Sequence, residues 1–271
     1  MHIQNCSIVP VNSEHAVKVV SFVCELGANF SVEKLKEVIS HYESSSSLQN
    51  IFPKKTEGQS TSITFSPTGV DVSNSQETNQ LVLERVGADG NVEYSLSLQN
   101  NVINFSLNKY SRWASISSEA LAVLNQFIGF ILPDPGISVF GLQYVDEFIV
   151  TGEINSFVPS MLFDADNKIL PKKLIEHKGP WHNHLGWFDD DEKLLPNKVL
   201  HNLNINIIPQ HEKLLVQIIG AHRLILSSPI SNENQIKADM ANRFTALHNQ
   251  NKALLKKLLN ANALKEIHLE N

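Results

Sequence analysis

The chain has 271 residues, 42% of them hydrophobic, a formal charge of −6 and only two cysteines, Cys6 and Cys24. That length holds one large domain or two modest ones, and the apolar fraction excludes a disordered chain, which could not offset its ordering entropy. The acidic balance lacks the global basic field of strong phosphate-backbone binders, and the cysteines form no closely spaced zinc or redox motif.

The first ten residues carry none of the parts of a secretory signal. The apolar run Ala120 to Leu132 is too short for a hydrocarbon core of about 30 Å. Both observations lead to an expectation of a cytoplasmic protein without membrane contact.

From His15 to Leu26 a β-branched, apolar run predicts a buried strand. Ser31 then offers an N-cap, and Val32, Leu35, Val38, Ile39 and Tyr42 recur at helical spacing. The stretch Ser44 to Ser60, with its serine run, Pro53 and Gly58, reads as a surface loop. Four short alternating segments follow, Ser62 to Phe65, Gln80 to Val86, Val92 to Leu98 and Val102 to Leu107, and predict an antiparallel meander. Glu119 to Leu132 has a helical stripe stopped by Pro133-Asp134-Pro135-Gly136, and Ile137 to Val150 reads as a strand inside the sheet.

Beyond Thr151-Gly152 four prolines break the pattern, and the pieces between them resist assignment. Leu200 to Ile208 and Lys213 to Leu226 predict a hairpin, with a bulge at Gly220. Glu233 to Asn260 predicts a long closing helix with Ile236, Met240, Phe244, Leu247, Leu254, Leu255 and Leu258 inward. Together these predict an α+β fold, a mainly antiparallel sheet with helices on one face in the order β-α-β-β-β-β-α-β. A smaller part with a hairpin and a long helix follows, the division falling at 1–152 and 153–271.

Asn104-Phe105-Ser106, then Lys109-Tyr110-Ser111-Arg112-Trp113, a helix, and the strand Phe140 to Phe148 stand in a distinctive order. They resemble an uncharacterised, sporadically distributed prokaryotic family with a Tyr-x-x-Trp before a helix and a Gly-Leu-x-Tyr-x-Asn/Asp strand. The resemblance covers about two thirds of the chain and fails between Phe157 and Leu200. It implies genes that travel on mobile or antiviral-defence loci, and it carries over no catalytic residue.

Tyr110 and Trp113 could stack on a ligand, but aromatic residues at this spacing before a helix more often pack it onto a sheet. Asp146 and Glu147 adjoin on a strand and so point to opposite faces, which argues against a paired acid and base. The sharpest candidate for chemistry is His182 and His184, at i and i+2 on a strand, with Asp189 and Asp191 completing a divalent-metal site for a nuclease or hydrolase. Against it, 11 histidines make His-x-His common by chance. His222 with Arg223, and His248, read as hydrogen-bonded structural residues and not as a relay. Lys252, Lys256 and Lys257 make the closing helix locally basic, which normally solvates a helix face and less often binds nucleic acid. The reading favours a non-catalytic module that binds a protein partner or itself, with no cofactor.

Overall fold

A computed structural model describes residues 6–66, 69–133, 135–189 and 197–269, with residues 59–66 and 69–77 described by their backbone alone. The fold is α+β, a large antiparallel sheet with several helices, as the sequence pattern predicts. Two compact units divide the chain. The first comprises 1–20, 142–224 and 244–271, and the second 21–141 and 225–243. Each is discontinuous, where the sequence reading expects two consecutive parts.

The second unit contains most of β2 (Val17–Leu26), then α1 (Val32–Ser44), α2 (Ser46–Ile51), β3 (Lys54–Ser66), β4 (Gly69–Val86), β5 (Val92–Gln99), β6 (Val102–Leu107) and α3 (Trp113–Ile131). Ser31 caps α1, its side chain accepting from the Lys34 N–H at 3.2 Å, and Leu35, Val38, Ile39 and Tyr42 form the buried stripe. Strands β3 to β6 pair successively and antiparallel, which is the meander the alternation predicts. Leu81, Leu83, Leu96, Leu98, Ile103 and Phe105 fill its inner face at 0% exposure. Burying each contributes about 1.5–3 kcal/mol.

Two local expectations are corrected in this unit. The expected loop Ser44 to Ser60 instead forms α2 and the first half of β3. Ser45 caps α2 by accepting from the Leu48 N–H, so the serine run starts a helix here. Helix α3 begins at Trp113 and not at Glu119, because its start at Arg112 has no side-chain cap to mark it. Those six extra residues make α3 the one described helix long and apolar enough to cross a membrane by length and composition, while Ile116, Ala120, Val123, Leu124, Phe127, Ile128 and Ile131 are buried.

The first unit contains β1 (Cys6–Pro10), most of β7 (Ile137–Gly152), α4 (Lys172–Ile175), β8 (Trp181–Asp189), β9 (Lys198–Gln210), most of β10 (Lys213–Ile230), the second half of α5 (Glu233–Leu258) and α6 (Ala261–Glu266). Two single 3₁₀ turns, Ile154–Ser156 and Pro159–Met161, precede α4. Strand β1 pairs antiparallel with the end of β7, and β9 and β10 form the predicted hairpin. Among the described residues the strand order is β3-β4-β5-β6-β2 in the second unit and β7-β10-β9-β8 in the first, with β3 and β8 as terminal strands.

No bulge marks Gly220. Burial alternates without a phase change from Leu214 to Leu226, so the strand keeps its period of two through the glycine. The segment that resisted assignment is tied to the end of α5: the Asp164 N–H donates to the Leu258 carbonyl at 3.0 Å and the Asn260 N–H to the Leu162 carbonyl at 3.0 Å. Phe148, Val150, Phe163, Leu203, Ile205, Val216, Ile218, Leu255 and Leu258 belong to the core of this unit.

Candidate functional site: a buried imidazole relay and an edge strand

Strand β9 buries Val199, His201, Leu203, Ile205 and Ile207, and β10 buries Leu214, Val216, Ile218, Gly220, His222 and Leu224. A histidine therefore occupies an apolar position on each strand. Helix α5 repeats the substitution, with Asn251 in the middle of the stripe Phe244, Leu247, Leu254, Leu255 and Leu258.

These three polar residues meet. His201 Nδ1 lies 2.6 Å from His222 Nδ1, and His222 Nε2 lies 3.1 Å from Asn251 Oδ1. At the outer end His201 Nε2 is 3.8 Å from Asp189 Oδ2, and Trp187 stacks on the His201 ring at a centroid distance of 5.2 Å. His201, His222 and Asn251 are 3%, 1% and 4% exposed, so the inner part of the relay is buried.

With Asn251 presenting an oxygen, His222 must carry its proton on Nε2 and donate it there. Its Nδ1 is then an acceptor, so His201 carries the proton on Nδ1 and donates inward. Burial holds the pKa of His222 down at about 4. It lowers His201 as well, with the nearby Asp189 charge opposing the shift and Lys257 adding to it.

One turn away on α5, His248 Nδ1 lies 2.8 Å from the Tyr144 hydroxyl, and burial, with Lys252 nearby, holds its pKa at about 4. Asp146 lies two residues along β7 on the same face as Tyr144. It is 3% exposed, its Oδ2 has no hydrogen-bond partner among the described residues, and burial pushes its pKa up to about 7. Glu147 points the other way and accepts from Gln217 Nε2 at 3.0 Å, so the two acids do stand on opposite faces.

The residues singled out in the sequence are distributed differently. His182 and His184 are exposed on one face of β8, and His184 bonds Asn204 on β9. Asp189 differs from both by an odd number of positions and projects from the opposite face, where it meets His201. The structure thus does not bring Asp189 to the two histidines, and Asp191 lies outside the described residues. Among the described residues no group of three or more His, Cys, Asp or Glu is arranged to hold a metal. Trp113 stacks on the fully buried Phe22 at 5.7 Å with the rings 14° apart, and Tyr110 is half-buried. Lys256 and Lys257 are exposed, whereas Lys252 is half-buried near His248.

No protein family, curated protein or solved structure matches this chain. The resemblance of the 104–148 stretch therefore has no matching family behind it, and the geometry alone carries the functional argument.

Strand β8 supplies the second feature. All nine of its residues pair in continuous register with β9, from Trp181 opposite Ile207 to Asp189 opposite Val199. In the strand order it stands at the end, with no neighbour on its far side among the described residues. The other terminal strand, β3, has the usual protections of an edge: Lys54 and Lys55 at its start and register shifts at Gly58, Gln59 and Thr61. Strand β8 has no lysine, arginine, proline or register shift, and it displays Phe188 at 60% exposure. Trp181 Nε1 and Asn183 Nδ2 are buried donors on the same strand without a hydrogen-bond partner among the described residues.

Proposed function

We propose that the protein is a non-catalytic interaction module that docks through β8 by strand addition, and that the docked strand is β8 of a second copy. The observation that carries this reading is an edge strand of nine residues in unbroken register that lacks the lysines and irregularities seen on β3. An unprotected row of backbone donors and acceptors is a template for another strand.

Self-pairing suits the residues. An antiparallel pair of β8 strands centred on Leu185 sets His182 against Phe188 and His184 against Gly186 on the exposed face, and Asp189 against Trp181 on the other. No like charges face each other, and a closed two-fold pair leaves no further β8 edge to propagate a filament. The relay supports the non-catalytic part, since both of its imidazoles are buried.

Sedimentation measured over a wide concentration range tests the reading. A reversible dimer is expected, and a His184→Lys, Phe188→Lys double variant, placing like charges at the new interface, should sediment as a monomer with an unchanged circular dichroism spectrum. A wild-type chain that stays monomeric at high micromolar concentration, or a variant that dimerises as well as the wild type, would overturn it.

A further inference from the structure

We propose that the Asp189–His201–His222–Asn251 relay is a two-stage proton latch, in which the first proton leaves α5 fastened to the first unit and the second releases its carboxy-terminal half. The proposal is independent of how β8 docks.

The argument begins with where a proton can go. In the neutral relay His201 Nδ1–H donates to His222 Nδ1 across 2.6 Å and His222 Nε2–H donates to Asn251 Oδ1 across 3.1 Å. One nitrogen remains unprotonated and uncommitted, His201 Nε2, at the end where Asp189 is 52% exposed. A first proton taken there forms an imidazolium 3.8 Å from a carboxylate oxygen and breaks neither inner bond. Of the four ring nitrogens, a second proton finds only His222 Nδ1 free of hydrogen, and that atom is already the acceptor. Protonating it sets two N–H donors against each other at hydrogen-bond distance, with His201 already cationic, so the relay must part.

The two rings that repel stand on β9 and β10, and His222 still donates from Nε2 to Asn251 on its far side, so the displaced ring is driven against Asn251 and the strain falls on the seat of α5. Asn251 sits in its apolar stripe and touches the sheet at Gly220, where a Cβ would lie 2.6 Å from its Oδ1. The charged and titratable groups facing the relay are Asp189 from β8, the two imidazoles of β9 and β10, and Lys257 from α5, whose charge opposes protonation of His201. The neighbouring contact, Tyr144 with His248, is faced by Lys252 on α5 and lies on the same strand face as Asp146. Lys257 repels added positive charge on His201, so a doubly protonated relay pushes in the direction of release.

Hydrogen exchange followed by mass spectrometry on the full chain, corrected for the intrinsic pH dependence of exchange, tests the latch. On acidification from pH 7 towards pH 4, peptides from 244–258 should lose protection at least tenfold while α1 keeps its own. A His222→Gln variant, which cannot take the second proton, should hold 244–258 protected over the same range. Loss of protection in α1 and 244–258 together, or none in either, would overturn the proposal. Should the variant not fold, nitrogen-15 spectra of the wild-type histidines decide: His201 must be protonated at Nδ1 and His222 at Nε2, and the reverse pattern would defeat it.

Discussion

His201 and His222 touch nitrogen to nitrogen, at 2.6 Å, beneath a helix whose own contribution to the contact is Asn251. Two imidazoles so placed share one proton across the contact, and burial shifts both towards the neutral form because it penalises the cation.

The pH dependence of stability follows. His222 and His248 have pKa values near 4 in the fold, against about 6.5 for an unperturbed histidine, so between those values the folded chain binds fewer protons than the unfolded one. Their stabilisation is complete above about pH 6.5 and is lost as the pH falls towards 4. Asp146, raised to about 7, acts oppositely: its contribution is complete below the ordinary carboxylate value and is lost as the pH rises through 7. Two histidines against one acid leave the folded chain about one proton short, and His201 adds to the deficit, so stability should rise with pH between 4 and 6.5. Thermal unfolding across pH 4 to 8 should show a maximum Tm close to 6.5; a maximum at pH 5 or below would contradict the assignment.

Asp146→Asn isolates the acid. Above pH 7 the wild-type fold holds a buried carboxylate whose Oδ2 lacks a hydrogen-bond partner, and the amide removes that charge while keeping the shape. Chemical denaturation at pH 8 should show a gain of about 1–3 kcal/mol. At pH 5, where Asp146 is already neutral in the fold, the gain should vanish.

How much of this was legible in the sequence depends on which residues obeyed a period. Leu35, Val38, Ile39 and Tyr42 announced α1 because a capped helix with an apolar stripe has no competing pattern. The meander was equally plain, since Asp89-Gly90 and Asn100-Asn101 separate alternating runs. Strand β8 was harder, because Trp181, Asn183, Leu185 and Trp187 alternate with His182, His184 and Gly186, a mixture in which neither face is cleanly apolar. The relay had a signal that went unused: His201, His222 and Asn251 each stand where the period requires an apolar residue. That three such exceptions meet depends on strand register and helix placement, which hydrophobic patterning does not specify.

Cys24 should be inert in the folded protein. It is 0% exposed and burial pushes its thiol up to about 12, so neither access nor thiolate is provided. Iodoacetamide at pH 8 should leave Cys24 unmodified by mass spectrometry until denaturant is added, and modification of the native chain at that residue would show that β2 opens more readily than its packing allows.

Gly220→Ala tests the seat of α5 from the sheet side. A Cβ built there lies 2.6 Å from Asn251 Oδ1 and 3.5 Å from His222 Nε2, closer to the oxygen than real Cβ atoms come. The amide is the end of a side chain and could in principle swing aside, but it is buried and bonded to His222, so moving it strands a donor. The substitution should therefore destabilise by about 1–3 kcal/mol, the usual range for overpacking a closed core. Asn251→Ala removes the obstacle and, by itself, leaves His222 Nε2–H without an acceptor. If the clash is the cause, the two losses overlap, and Gly220→Ala combined with Asn251→Ala should cost clearly less than the sum of the single changes in denaturant unfolding. Strict additivity would mean that residue 220 is glycine for a reason unrelated to Asn251, and the contact would then have no part in holding the helix.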